Sequence, residues 1–226
     1  RSIATSSNSV LNTLSKQYSA DISSYKIDLG IQYDQKIGKD DYLTIGATWS
    51  PGHSLKSDPQ CLLVSKNASI SKSDTTVFTI SDGLKLPDTY GIGIGYSHAK
   101  SFRAGADFVM QKWVSIDFPH FDGSVYRLYP NLLKDSYRVK AGMEWTPRAM
   151  SRRLYERVSY RLGVGYATPY YYINGQEGPK EFGASIGFDI PIVNGYNNRS
   201  VLNISGQWIS RSADNLIKEN TFRINI

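Results

Sequence analysis

Along most of its length the chain alternates with a strict period of two, one phase apolar and the other polar, charged or glycine. The first clear run sets Tyr25, Ile27, Leu29, Ile31 and Tyr33 against Lys26, Asp28, Gly30, Gln32 and Asp34. That period belongs to a β-strand with one oily and one wet face. Nine such runs follow one another, at 25–34, 43–49, 90–96, 102–111, 137–145, 160–166, 181–190, 202–208 and 222–226. They predict an all-β chain of about nine antiparallel strands.

Alternation alone suits two architectures. A soluble β-sandwich turns its apolar phase inward between two sheets, whereas an up-and-down transmembrane β-barrel turns it toward lipid. Aromatic placement favours the barrel. Tyr25 and Tyr33, Tyr90 and Tyr96, Tyr137 and Trp145, Tyr160 and Tyr166, and Phe182 and Phe188 bracket their strands, with small or branched aliphatics between. At ~3.3 Å per residue and a tilt of roughly 40°, these spacings project to about 15–20 Å, a little inside the ~25 Å apolar band of an outer-membrane barrel. Two headgroup belts select such pairs. In a soluble core the polar tips of Tyr and Trp would need buried partners. The polar phase points the same way, because it carries eleven of the nineteen glycines beside charges of both signs. Glycine weakens a solvent-facing strand, but on the crowded inner wall of a barrel it leaves lumen space.

The connections form a second pattern. Those at 35–41, 100–101, 147–159 and 193–199 are mostly short, and those at 51–75, 117–135, 168–180 and 210–219 are mostly longer and richer in Ser, Asn, Gly and Pro. Short periplasmic turns and long outer loops are the barrel arrangement. The first and ninth strands then both run toward the periplasm. Bacterial single-chain barrels use an even strand number, so the N-terminal part of the barrel is expected to lie outside this chain. Residues 1–22 read as an outer loop or the remnant of a preceding strand, and 23–226 as the C-terminal part of the barrel. Residues 8–18 are expected to make a short helical turn, and 71–83 the protruding upper half of the third strand, with Pro87 at a bulge or edge.

Bulk properties narrow the function. The 226 residues allow one large β domain, and no run approaches the ~18 apolar residues of a membrane helix. Arg1 begins no signal peptide, so an exported protein with this sequence is a mature or excised segment. Cys61, read as part of a polar loop, excludes an internal disulfide framework. The net charge of +6 would permit a nucleic-acid partner. The dense cluster Arg148, Arg152, Arg153 and Arg157 lacks the run of stacking aromatics that such a surface uses, and reads as a solvated turn.

Residues 86–113, LPDTYGIGIGYSHAKSFRAGADFVMQKW, carry a family resemblance. A Leu-Pro pair opens a glycine strand, then come a short turn and a strand containing Ala106 and Asp107 and leading to Trp113. The segment resembles FadL-type long-chain fatty-acid transporters of the outer membrane. YRVKAGMEWTP and YRLGVGYATP look like the next strands of the same barrel, in a style associated with Bacteroidetes members. The similarity runs from about residue 23 to the end. It implies a fourteen-stranded barrel plugged by an N-terminal hatch, of which this chain would supply the last nine strands. It also implies passive uptake of hydrophobic compounds across the bacterial outer membrane. Related barrels of that group serve protein secretion instead, which leaves an interaction role as the alternative.

No catalytic constellation stands out, and neither a metal site nor a cofactor is expected. His53, His98 and His120 read as isolated. Gly91, Gly93 and Gly95 mimic a phosphate-binding loop, yet lie within a strand with no helix after it. The candidate substrate-binding residues are therefore the lumen charges Arg103, Asp107, Arg138, Lys140, Glu144 and Arg161. They read either as a mutually neutralising network or as a set of which a subset, chiefly Arg103, Arg138, Lys140 and Arg161, holds the carboxylate of an amphipathic ligand. The partners expected are the lipid bilayer, a fatty-acid-like or other hydrophobic ligand, and other outer-membrane proteins, with no nucleic acid.

Overall fold

A computed structural model describes residues 2–4, 13–67, 72–173, 175–193 and 199–226. The chain divides into two compact units, one of residues 1–27, 51–88 and 113–133 and the other of residues 28–50, 89–112 and 134–226.

The second unit is built on one antiparallel sheet of nine strands: β1 (Leu29–Lys36), β2 (Asp41–Ser50), β3 (Thr89–His98), β4 (Phe102–Gln111), β5 (Ser136–Trp145), β6 (Ser159–Ala167), β7 (Lys180–Val193), β8 (Arg199–Ser212) and β9 (Glu219–Asn225), with a small hairpin, Tyr172–Ile173 with Gln176–Glu177, beside it in the chain. Each pairs with its neighbours in chain order, so the sheet is an up-and-down meander. Every strand falls on one of the nine alternating runs. The outer edges of β1 and β9 have no partner strand among the described residues. Strand β1 starts at Leu29, and Tyr25 and Ile27 precede it without strand structure. Tyr25 instead lies in the other unit, its ring stacked on His53 at 4.6 Å.

Exposure decides between sandwich and barrel wall. The apolar phase is uncovered: Ile31 is 75% and Ile92 62% exposed, and Ile94, Val164 and Ile186 are about half exposed. On the polar phase Gly91 is buried and Gly93, Gly95, Gly163 and Gly165 are half-buried. A soluble sandwich would bury the first set against a second sheet. In this unit the buried hydrophobic residues among those described are Val158 and Ile209, and neither belongs to the apolar phase. The sheet is stabilised by its ladders and same-face neighbours, the wall architecture of a β-barrel.

The first unit does have a core. A four-stranded antiparallel sheet takes the order Ser2–Ala4, Thr13–Ser19, Gln60–Asn67, Lys72–Thr79. A hairpin joins Phe118–Phe121 to Tyr126–Tyr129. Cys61, Phe121 and Tyr126 are buried together, with Leu63, Phe78 and Ile80 packed against them. Phe78 and Phe121 stand 5.4 Å apart at 42°, a tilted aromatic pair. Lys16 Nζ donates to the Phe121 carbonyl at 3.1 Å and lies 4.5 Å from that ring's centroid.

Three sequence expectations are corrected in this unit. Residues 13–18 of the expected helical turn belong to the strand Thr13–Ser19, because the ladder with Gln60–Asn67 outweighs local helix preference; positions 8–12 lie outside the described residues. Residues 72–79 are not an extension of β3 but a separate strand paired with Gln60–Asn67, while residue 71 is outside the described set. The chain reverses after it, with Asp82 at φ 52°, and Lys85–Leu86 pairs with His53–Ser54 before β3 begins. Cys61 is not in a polar loop but within a strand and fully buried.

Candidate functional site

Because β4, β5 and β6 pair in register, the alternation of each strand brings its polar residues onto one face at matching heights. Arg103 stands opposite Glu144, and Glu144 opposite Arg161. Two residues along, Gly105, Gly142 and Gly163 form one row, extended by Gly95 on β3 and Ser185 on β7. Above that row Asp107 faces Lys140, which faces Gly165, and beyond it Arg138 faces Ala167. All six candidate residues therefore share one face of three adjacent strands.

Their chemistry then separates. Arg161 Nε donates to Glu144 Oε2 at 2.9 Å, and its NH2 group forms a second ion pair with Asp189 on β7. Asp189 also accepts a hydrogen bond from the Asn203 amide. This part of the face is the neutralising network. Arg138 and Lys140 make no ion pair or side-chain hydrogen bond among the described residues, although Asp107 occupies the position across the ladder from Lys140.

Arg103 likewise makes no ion pair or side-chain hydrogen bond among the described residues, but only Arg138 and Lys140 border two hollows. One, of about 600 Å³, has a floor of Gly30, Gly46, Gly91 and Gly93, with Asp107 at its rim. The other, of about 290 Å³, lies over Gly163, Gly165 and Gly183, with Glu181 and Gln207 at its margin. Side chains at these glycines would fill the space. A Cβ on Gly93 would stand 2.4 Å from Asp107 Oδ1, and one on Gly163 2.7 Å from Ser185 Oγ. The arrangement presents two adjacent positive donors above a glycine-rich surface, which suits an anionic group carried by a larger body.

Sequence reasoning missed Arg211, whose Nε donates to Glu181 Oε2 at 2.8 Å. It fell in a supposed loop, yet β8 runs to Ser212 and the polar phase Asn203, Ser205, Gln207 continues to it. His98 is not isolated, since its Nδ1 lies 2.7 Å from Asp41 Oδ1 and the Tyr96 hydroxyl donates to the same oxygen at 2.7 Å.

The other unit has its own hollow of about 540 Å³, bordered by Lys16, Tyr18, Leu84, Phe118, His120 and Tyr126. Burial, with smaller contributions from Cys61 and Tyr18, pushes the Tyr126 phenol up to about 12. Burial also raises the Cys61 thiol. In the adjoining turn, Asp122 accepts from the hydroxyl of Tyr129 and from the backbone N–H groups of Val125 and Ser124, both at 2.9 Å. These donors hold its carboxyl well below the ordinary range, with Tyr129 the largest cause.

The family model BamG matches residues 1–226, the whole of the chain. The chain belongs to the BamG family. Among solved structures, this BamG chain is similar to one described as the CymD monoaromatic hydrocarbon channel. The TM-score is 0.55 at 16% identity, covering 91% of this chain and 53% of that one. The BamG chain thus spans about half the length of the channel it matches. At that identity the likeness concerns the fold, and it supports the FadL-like barrel that the sequence resembles, while the family is BamG rather than a FadL-specific one. No curated protein matches the chain.

Proposed function

We propose that this chain forms the C-terminal wall of an outer-membrane β-barrel that admits hydrophobic or amphipathic small molecules by passive diffusion. The observation that carries the reading is the pairing of unneutralised Arg138 and Lys140 with two glycine-floored hollows on the polar face. In a closed barrel that face lines the lumen, and the exposed Ile31, Ile92 and Val164 meet acyl chains. The carboxylate of an amphipathic ligand would rest on Arg138 and Lys140, while its apolar body follows the row Gly95, Gly105, Gly142, Gly163. The uncovered edges of β1 and β9 support closure by strands from outside this chain, since an open barrel wall leaves backbone groups unpaired in lipid. The fold of the hydrocarbon channel agrees with such a barrel. Neither a catalytic role nor a cofactor forms part of this reading.

The experiment is retention and uptake of a fluorescent fatty acid by the full-length protein in lipid vesicles. Arg138→Ala/Lys140→Ala should weaken retention about tenfold or more, as expected for loss of charge-assisted hydrogen bonds. Equal retention in the variant would remove the carboxylate site, and no uptake by either protein would remove the channel.

A second reading, an interaction or secretion-associated barrel in contact with other outer-membrane proteins, is favoured by one observation. The unit built from 1–27, 51–88 and 113–133 holds six of the eight buried hydrophobic residues among those described, namely Leu55, Cys61, Ile116, Phe121, Tyr126 and Leu133. A loop needs no such core, whereas a docking platform does. A lumen closed to small molecules in the full-length protein would favour this role.

A further inference from the structure

The turn between β5 and β6, residues 146–158, is absorbed by neither reading. Four arginines stand in it against one acid, Glu156, for a net charge of +3 (four minus one). It is an ordered turn. Thr146 N donates to Ser101 O at 2.7 Å, Arg148 N to Glu156 O at 2.7 Å, and Val158 N to Leu154 O at 3.2 Å. Val158 is buried at its end, yet Met150 is 90%, Tyr155 58% and Leu154 51% exposed. Glu156 lies between Arg148 NH1 at 3.6 Å and Arg153 NH1 at 3.8 Å, so each pair is loose and both guanidinium groups remain largely exposed. Arg152 is exposed and makes no ion pair or hydrogen bond among the described residues.

The position of the turn selects what this surface meets. The Tyr160 hydroxyl donates to the Tyr155 carbonyl at 2.9 Å. The Tyr160 ring stands 5.9 Å from Trp145 and 5.8 Å from Phe188, and all three belong to the apolar face of the sheet. Aromatics at a strand end mark the headgroup level of a barrel. Tyr155, Leu154 and Met150 therefore extend the oily surface just past that level, and Arg148, Arg152 and Arg153 are placed where phosphates lie. Arginine binds phosphate through two parallel N–H donors and lies easily beside apolar groups.

We infer that the 146–158 turn binds the headgroup of an anionic phospholipid, with Arg148, Arg152 and Arg153 holding the phosphate and Leu154 and Tyr155 seated in the acyl boundary. The inference rests on the membrane-barrel reading but not on the ligand the lumen carries. Continuity with the aromatic belt favours lipid over an acidic protein, which would need no oily side chains beside the rings of Trp145 and Tyr160.

The test is lipid retention by full-length protein in detergent micelles, measured by native mass spectrometry with phosphatidylglycerol, with phosphatidylethanolamine, and with inorganic phosphate as competitor. Each arginine near an anionic surface contributes about fivefold. Arg148→Gln/Arg152→Gln/Arg153→Gln should therefore abolish a phosphatidylglycerol preference of about tenfold or more while leaving heat-modifiable gel migration, and so the folded barrel, intact. Should that variant fail to fold, Arg152→Gln alone should lower the preference about fivefold. Leu154→Ser/Tyr155→Ser should shorten the retention of both lipids. Equal retention of the two lipids, a preference that survives the arginine changes, or full displacement by inorganic phosphate overturns the inference. Preferential capture of an acidic protein over either lipid overturns it in favour of a protein interface. If fatty-acid uptake fails while the lipid preference holds, the channel reading alone is lost. A protein with no heat-modifiable migration fails both.

Discussion

Arg161 joins three strands through its contacts with Glu144 and Asp189, the first at 2.9 Å, across the ladders of β5, β6 and β7. Asp189 keeps only 12% of its side-chain surface exposed, so removing the guanidinium would leave a largely covered carboxylate with the Asn203 amide but no cation. Arg161 itself is about half exposed, and solvent screening trims the effect. Arg161→Ala should therefore destabilise the full-length barrel by about 1–2 kcal/mol in urea unfolding from lipid vesicles. Arg138→Ala should change stability by less than about 0.5 kcal/mol. Equal effects would mean that Arg138 belongs to the network after all.

The direction of the apolar face has its own test. Ile92 lies mid-strand on β3 and is 62% exposed. If that face meets acyl chains, Ile92→Lys should cost about 2–4 kcal/mol in vesicles. Gln207→Lys, on the polar face of β8, should cost little. In water an exposed Ile-to-Lys change is nearly neutral, so comparable small effects for both variants would count against a lipid-facing surface.

Acid should loosen the 121–126 turn before the rest of its unit. Asp122 has a folded-state pKa depressed below the ordinary 3.8. A depressed carboxylate contributes stability that is present above the unfolded value and lost as pH falls through the folded one. Protection of the Ser124 and Val125 amides from hydrogen exchange should accordingly be steady down to about pH 4 and decline below it. In Asp122→Asn it should be lower and flat across the same range. A wild-type profile without that decline would show that the side chain does not order the turn.

How much of this was legible in the sequence differs between the two units. Alternation such as Tyr137, Val139, Ala141, Met143, Trp145 is a local property of the chain, so all nine wall strands could be read from it, as could the sharing of one face by Arg103, Asp107, Arg138, Lys140, Glu144 and Arg161. Register was not legible, and register decides that Arg161 meets Glu144 and Asp189 while Lys140 stays free. In the other unit the alternation is short and broken. Thr13–Ser19 and Lys72–Thr79 become strands because Gln60–Asn67 pairs with both, and the first of these pairings spans tens of residues that no local window contains. Cys61 looked like a loop residue for the same reason.

The sequence by itself determined a chain whose every wall strand has one oily face and one of polar, charged or glycine residues, because side-chain direction in a strand follows from backbone geometry alone. Only the tertiary structure decided that the oily face has no second layer, which cations are spent on carboxylates, and that Tyr155 stands beside Tyr160 and its ring partner Trp145. Those outcomes depend on which strands pair and at what offset, and pairing is settled by contacts between residues far apart in the chain.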